Sequence, residues 1–248
     1  MRIGLIVRIV VLVLLVAFLA SPQSFAFVFQ PLTKNGQPAI YTQNSLLNLT
    51  LSHMAIVAMA TLAASIVAVG LAIVVTRPSG MEFLPLSRML SNTGQTFPPV
   101  AVLALAVPIL GFGTAPTLVA LFLYGLLPIF ENALTGLTTI PPDIEESARG
   151  AGMNERQRLW QIELPLALPL ILAGIRLSVA ISIGTATIGS TVAASTLGEA
   201  IIAGLINSNL AFVAQGGLVV GVLAILTYDA LRALERSIAT QTGAGRTS

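Results

Sequence analysis

Apolar residues in this chain come in long runs separated by short polar interruptions, a pattern that predicts membrane-crossing helices rather than alternating strands. The first run is Leu5 to Phe27. It follows Arg2 and contains Arg8, and so has the basic start and apolar middle of a secretory signal, with "SPQSFAF" as a weak cleavage region. The run is longer than a typical signal core, so a retained helix is expected. The stretch "QPLTKNGQPAIYTQNS" then reads as an extramembrane loop. Further spans are expected at about Leu49 to Thr76, Phe97 to Gly113, Thr117 to Leu137, Leu166 to Ile188 and Phe212 to Leu234. Pro78 and Gly80 in "TRPSG" end the second span. Helix is required throughout, because an isolated strand in lipid leaves its backbone groups unpaired. The expected fold is therefore an all-α integral membrane bundle of about six transmembrane helices. It divides into an N-terminal helix and outer loop (1–48), a core (49–234) and a tail (235–248).

Composition agrees with lipid as the main solvent. The chain is 55% hydrophobic and only 9% charged, with a mean hydropathy of +0.91, whereas soluble domains carry about 25% charged residues. The absence of cysteine excludes disulfides and thiolate metal sites. One histidine and ten carboxylates leave little for a metal centre, and none is expected. A net charge of +2 gives no reason to expect nucleic acid. The distribution of charge says more. Threading six spans with the N-terminus inside puts Arg2, Arg8, Arg77, Arg88, Arg149, Arg156, Arg158, Arg232, Arg236 and Arg246 on the cytoplasmic side, leaves Lys34 outside, and keeps Arg176 within a span. That asymmetry predicts cytoplasmic termini and a cytoplasmic 138–165 segment.

"EESARGAGMNERQRLWQIELP", residues 145 to 165, is the most polar stretch and holds the only tryptophan. Pro141 and Pro142 suit a helix start, where a missing N–H costs nothing. Asp143, Glu145 and Glu146 then fall where the helix dipole favours negative charge. Gly150 or Gly152 is expected to end this helix, and Asn154 with Gln157 resembles a capping box that starts a second one. The second helix is expected to stop at Leu164-Pro165, just before the next span. Ala148 and Gly152, four apart, offer a small-residue surface for close approach by another protein.

Glu146-Ser147-Ala148, Gly152, Ile162 and Leu164-Pro165 resemble the "EAA" loop of ABC importer permeases, E-A-A-x3-G-x9-I-x-L-P, with Ser147 replacing the first alanine. The stretches "TRPSGMEFLPL", "GQTFPPVAVLALAVPILGFG", "LAGIRLSVAISIGTATIGSTVAASTLG" and "IIAGL" extend the likeness over about residues 50 to 230. They are similar to the osmoprotectant branch, most of all to Yeh-type glycine betaine permeases. The resemblance implies a type I permease bundle in the bacterial inner membrane, with a coupling helix at 138–165 that docks on a cytoplasmic ATPase. It implies three protein partners: that ATPase, a second permease subunit and an external substrate-binding protein. The implied cargo is glycine betaine, choline or a related quaternary ammonium solute. This chain has no G-x-x-x-x-G-K-[ST], so no cofactor is expected in it, and ATP and Mg belong on the partner ATPase.

A quaternary ammonium site normally needs an aromatic cage. The chain is only 6% aromatic, so the cage is expected on the separate binding protein. Tyr124 and Phe130 on the fourth span either line a path or simply pack. Pro98, Pro99 and Pro108 interrupt the third segment, and irregular backbone at membrane depth survives only inside protein or beside a cavity. A translocation path and a kinked packing helix both satisfy that condition. The small residues of "SIGTATIGSTVAAS" fit close helix contact or a polar pathway equally well, and "STLGEAIIAGLINSNL" reads as an external, partly re-entrant helix. Glu131 precedes Asp143 by 12 residues and Arg176 follows Pro165 by 11. Similar depth allows an intramembrane ion pair between them, and independent snorkelling near the inner interface is the alternative. His53 reads as a helix-end polar residue and Asp229 as interfacial. The rival class is a stand-alone secondary transporter or channel, which needs midplane ion sites and often internal repeats; neither is evident. An intramembrane enzyme lacks a nucleophile–base pair.

Overall fold

The computed structural model describes residues 2–34 and 36–241; Arg246 lies outside them. In chain order the helices are α1 (Arg2–Ala20), α2 (Ala26–Phe29), α3 (Leu46–Val75), α4 (Leu84–Thr96), α5 (Pro99–Leu110), α6 (Thr114–Thr138), α7 (Pro142–Gly150), α8 (Glu155–Arg158), α9 (Leu164–Thr185), α10 (Gly198–Ile206) and α11 (Leu210–Gln241). No strand occurs among the described residues. Among the described residues, four helical stretches are long and apolar enough to cross a membrane, or up to six when each of two broken pairs counts as one span.

Both breaks are written in proline. The expected helix from Leu5 to Phe27 ends instead at Ala20, and the chain turns by 116° into Pro22–Leu32. Ser21 precedes Pro22 and is pushed out of the helical region, to φ −142° and ψ 70°. The expected span from Phe97 to Gly113 is likewise only the 12-residue α5. At about 1.5 Å per residue it covers about 18 Å, short of a hydrocarbon core of about 30 Å. Phe97 and Pro98 are both extended, with ψ of 138° and 139°, because each precedes a proline. Pro108 lies inside α5.

The chain forms two compact units. The first comprises the chain up to Ala60, Pro98–Leu121 and Ala180–Thr227. Its core packs Leu15, Phe18 and Leu19 of α1 with Phe29, Tyr41 and Phe212. Buried side-chain amides fasten the 37–44 loop there. Gln215 Nε2 donates to the Ala39 carbonyl at 2.7 Å while its Oε1 accepts from the Tyr41 amide at 3.1 Å. Asn209 Nδ2 donates to Pro38 O at 2.9 Å. His53, expected as a helix-end polar residue, is fully buried. Its Nδ1 accepts from the Leu197 amide at 3.4 Å, so Nε2 donates to Ile183 O at 3.0 Å.

The second unit comprises Thr61–Phe97, Phe122–Val179 and the chain from Tyr228 on. Here small residues set the spacing of α3, α6 and α9. Ala64, Ala68 and Ala72 form a fully buried stripe at helical period, packed with Ile129, Phe130, Ala133 and Ala167. A Cβ on Gly174 would lie 2.7 Å from Pro128 O, and one on Gly125 would lie 2.7 Å from Ser178 Oγ. Between apolar helices in lipid, association rests on van der Waals closeness, which small residues permit. Phe130, one of the two aromatics weighed for a path, is fully buried in this core.

Gly174→Ala is therefore expected to destabilise the protein by about 1–3 kcal/mol through overpacking. Gly70→Ala, whose new Cβ meets nothing within 4 Å, is expected to be neutral or stabilising by up to about 1 kcal/mol. Thermal unfolding of both variants in the same detergent checks this, and equal melting temperatures would contradict the packing account.

Candidate functional site: the folded segment between α6 and α9

The polar segment after α6 is a compact helical corner. Pro141 caps α7 and Pro142 opens it, with Asp143 and Glu145 in the first turn and Arg149 in the last. These charges complement the helix dipole at both ends. Arg149 Nη2 also bonds Glu145 Oε2 at 3.2 Å, one helical turn back. The helix closes in a Schellman motif. Met153 N–H donates to Ala148 O at 3.1 Å and Gly152 N–H to Arg149 O at 2.9 Å, with Gly152 at φ +77°. A side chain at that φ is strained, which explains the glycine without any partner protein. Asn154 and Gln157 then exchange the two bonds of a capping box, each 2.9 Å.

Beyond α8 the structure departs from expectation. The helix does not stop at Leu164-Pro165. A π turn over Leu159–Glu163 carries it into α9, and Leu164 N–H reaches back to Leu159 O. Pro165 lacks the N–H that an α ladder needs and crowds the preceding turn; the widened turn accommodates it. Residues 155–192 are thus one continuous helical run.

Glu163, which sequence reasoning passed over, anchors this run. It is only 7% exposed. Arg77, just past the end of α3, grips its carboxylate through both terminal nitrogens, Nη1 to Oε1 at 3.2 Å and Nη2 to Oε2. Arg158 Nε stands 4.0 Å from Oε1. The hydrogen bond to Glu163 pushes the Arg77 guanidinium further above its already high range, against the opposing effect of burial. A buried carboxylate is tolerable only when paired in this way. Sequence offered one hint, an acidic residue embedded in an apolar "WQIELPL" context.

Among the family-pattern residues, Glu146, Ser147 and Gly152 are exposed, Ile162, Leu164 and Pro165 are half-buried, and Ala148 is buried. The expected small-residue surface at Ala148 and Gly152 is therefore half absent, because Ala148 faces its own chain. Trp160 is 70% exposed. The structure contains neither a Glu131–Arg176 ion pair nor two independent charges, but two other pairs. Glu131 Oε1 takes Arg88 Nε at 3.1 Å, and Arg176 Nε lies 3.0 Å from Glu235 Oε2, its guanidinium 4.6 Å from the Tyr228 ring centre. Partners on α4 and α11 pair with both charges, although Arg176 Nε and Glu235 Oε2 meet without hydrogen-bond geometry, and equal depth did not reveal them. In the proposed path, Pro98 and Pro108 are exposed and Pro99 half-buried. Tyr124 donates its hydroxyl to Phe97 O, while Gln95 Nε2 donates to Tyr124 O at 3.1 Å. Tyr124 thus secures the end of α4.

A bundle of apolar helices with a folded polar corner of this pattern defines an integral membrane permease of the ABC importer class. Residues 68–240 match the model of the binding-protein-dependent transport system inner membrane component, and the chain belongs to that family. It is 42% identical over 163 residues to the osmoprotectant import permease protein OsmY of Salmonella typhimurium, covering 66% of this chain and 69% of that one. It is 37% identical over 211 residues to the choline transport system permease protein OpuBB of Bacillus subtilis, covering 85% and 93%. Among solved structures, the inward-facing MetNI methionine ABC transporter matches with a TM-score of 0.69 at 19% identity, over 78% of this chain and 95% of that one. That match carries the fold alone. As a family member the chain is a multi-pass inner-membrane permease subunit, and ATP hydrolysis falls to a separate ATPase. The family implies that ATPase and a substrate-binding protein as partners.

The Arg77–Glu163 pair yields a direct expectation. Arg77→Gln and Glu163→Gln should each destabilise the protein, with a coupling energy of about 2 kcal/mol in the double-mutant cycle. Additive losses in thermal unfolding would show that the two side chains do not brace one another.

Proposed function

We propose that this permease imports quaternary ammonium osmoprotectants, glycine betaine or choline among them, driven by ATP and Mg bound on the partner ATPase. The solute class is supported by the names of its relatives, an osmoprotectant permease and a choline permease. Solute arrives on an external binding protein and passes between this chain and a second permease subunit. Both termini and residues 138–165 are cytoplasmic, in keeping with the excess of arginine on that side.

The observation that carries the mechanism is the unbroken run from α8 through the π turn into α9. A push on α7 and α8 has no flexible joint at Leu164-Pro165 in which to dissipate. Glu163 passes it also to the end of α3 through Arg77. In this reading Glu146 and Ser147 meet the ATPase, Gly152 shapes the corner, and Ile162, Leu164 and Pro165 belong to the transmitting helix. The prolines at 98, 99 and 108, with Tyr124, would flank the solute path; the exposed Pro98 and Pro108 are compatible with that role.

Cells expressing the chain with its ATPase and binding protein are expected to accumulate labelled choline and glycine betaine. Initial uptake should stop on ATP depletion and survive a protonophore. Uptake that collapses with the ion gradient while ATP persists would instead establish the secondary-transporter reading.

A further inference from the structure

Within the first unit, the 37–44 loop and α10 border an open cleft of about 370 Å³ lined by Tyr41, Gln43, Ser190, Glu199, Ile202 and Asn207, among others. That volume lies at the low end of small-molecule pockets, about 300–1,000 Å³. Glu199 is the sole acidic residue in that unit's sequence. Its carboxylate is half-buried and accepts one neutral hydrogen bond, from Asn44 Nδ2 at 3.2 Å. No arginine or lysine pairs with it among the described residues, whereas Glu131, Glu145, Glu163 and Glu235 each have an arginine partner. Tyr41 is only 4% exposed and underlies the cleft, its backbone amide bonded to Gln215 and its ring in edge-on contact with Phe212, centroids 5.4 Å apart. Burial, with the Glu199 charge adding to it, pushes the Tyr41 phenol above its ordinary value, so the ring and the carboxylate share one local field.

We propose that this cleft is a cation site, in which the Glu199 carboxylate holds the quaternary ammonium head of a net-positive solute and so favours choline over zwitterionic glycine betaine. Glu199 lies in the first turn of α10, whose dipole offsets part of its charge; with no cationic side chain beside it, the remaining charge attracts a weakly hydrated monocation. Choline brings one positive charge and a small polar hydroxyl, for which Gln43 and the Oδ1 of Asn207 are available partners. Glycine betaine brings the same head together with a carboxylate, which Glu199 repels and no cleft cation balances. The site is shallow and its single charge is partly solvated, which suits a weak station on a transport route. The proposal rests on the solute class and orientation put forward above, which place the cleft on the outer side.

Direct binding separates this inference from the transport reading. Saturation-transfer NMR on the purified permease in nanodiscs, read at the choline methyl signal, is expected to show binding. Tetramethylammonium should displace it, and 3,3-dimethyl-1-butanol, the uncharged carbon analogue of choline, should not. Glu199→Gln retains an acceptor for Asn44 and should weaken choline binding about five-fold, closing the gap to glycine betaine. Gln43→Arg, at an exposed loop position, adds a repelling charge without touching Glu199 and should act in the same direction. Equal binding of choline and its neutral analogue, absence of choline binding to wild type, or unchanged choline binding in both variants overturns the cation site. Each of these results leaves ATP-driven uptake standing as a separate question. Loss of ATP dependence in uptake with choline binding intact would instead overturn the transport reading and leave the cleft in place.

Discussion

A buried carboxylate between two arginines is the joint on which the second unit depends. Glu163 sits where a polar surface segment becomes an apolar helix, and without Arg77 and Arg158 its charge would be intolerable there. Because Arg77 lies two residues past the end of α3, the pair ties the end of one long helix to the root of another. The π turn around Glu163 matters for the same reason. It absorbs Pro165 without a break and keeps the carboxylate facing the guanidinium. Stability and transmission are thus properties of one short stretch.

Local signals were the legible ones. Pro141-Pro142, the glycine corner and the Asn154–Gln157 box each specify backbone geometry within a few residues, and each formed as its spacing dictates. The four long spans were equally clear, since hydropathy over about 20 residues integrates a strong signal. What failed was long-range or competitive. Pro22, Pro98 and Pro99 cut two expected spans short, because apolar content says nothing about the helix torsion that the residue before a proline must give up. Pro165, read as a stop, was overridden by a wider turn. Arg176 and Glu131 found Glu235 and Arg88 rather than each other; depth along a helix does not fix the direction in which a side chain points.

The two units solve burial differently. In the second, alanine and glycine bring helices close, and charges are settled pairwise by arginine. In the first, aromatic side chains fill the core, and buried amides of Gln215 and Asn209 hold the loop carbonyls that would otherwise lack partners. His53 belongs to this second class of fastener. Both of its ring nitrogens are spent on backbone groups, which leaves it no capacity as a proton relay and weakens the case for an ion-driven carrier.

Coupling through residues 142–165 is the central claim, and the chain's lack of native cysteine gives it a clean probe. Ser147→Cys places a single thiol on the exposed face of α7, and its maleimide labelling can be followed with and without the partner ATPase. The account predicts strong protection of this thiol by the ATPase, while a thiol introduced at Gln43 labels equally in both states. Labelling of the position-147 thiol that is indifferent to a bound, active ATPase would contradict the assignment of this segment as the docking element.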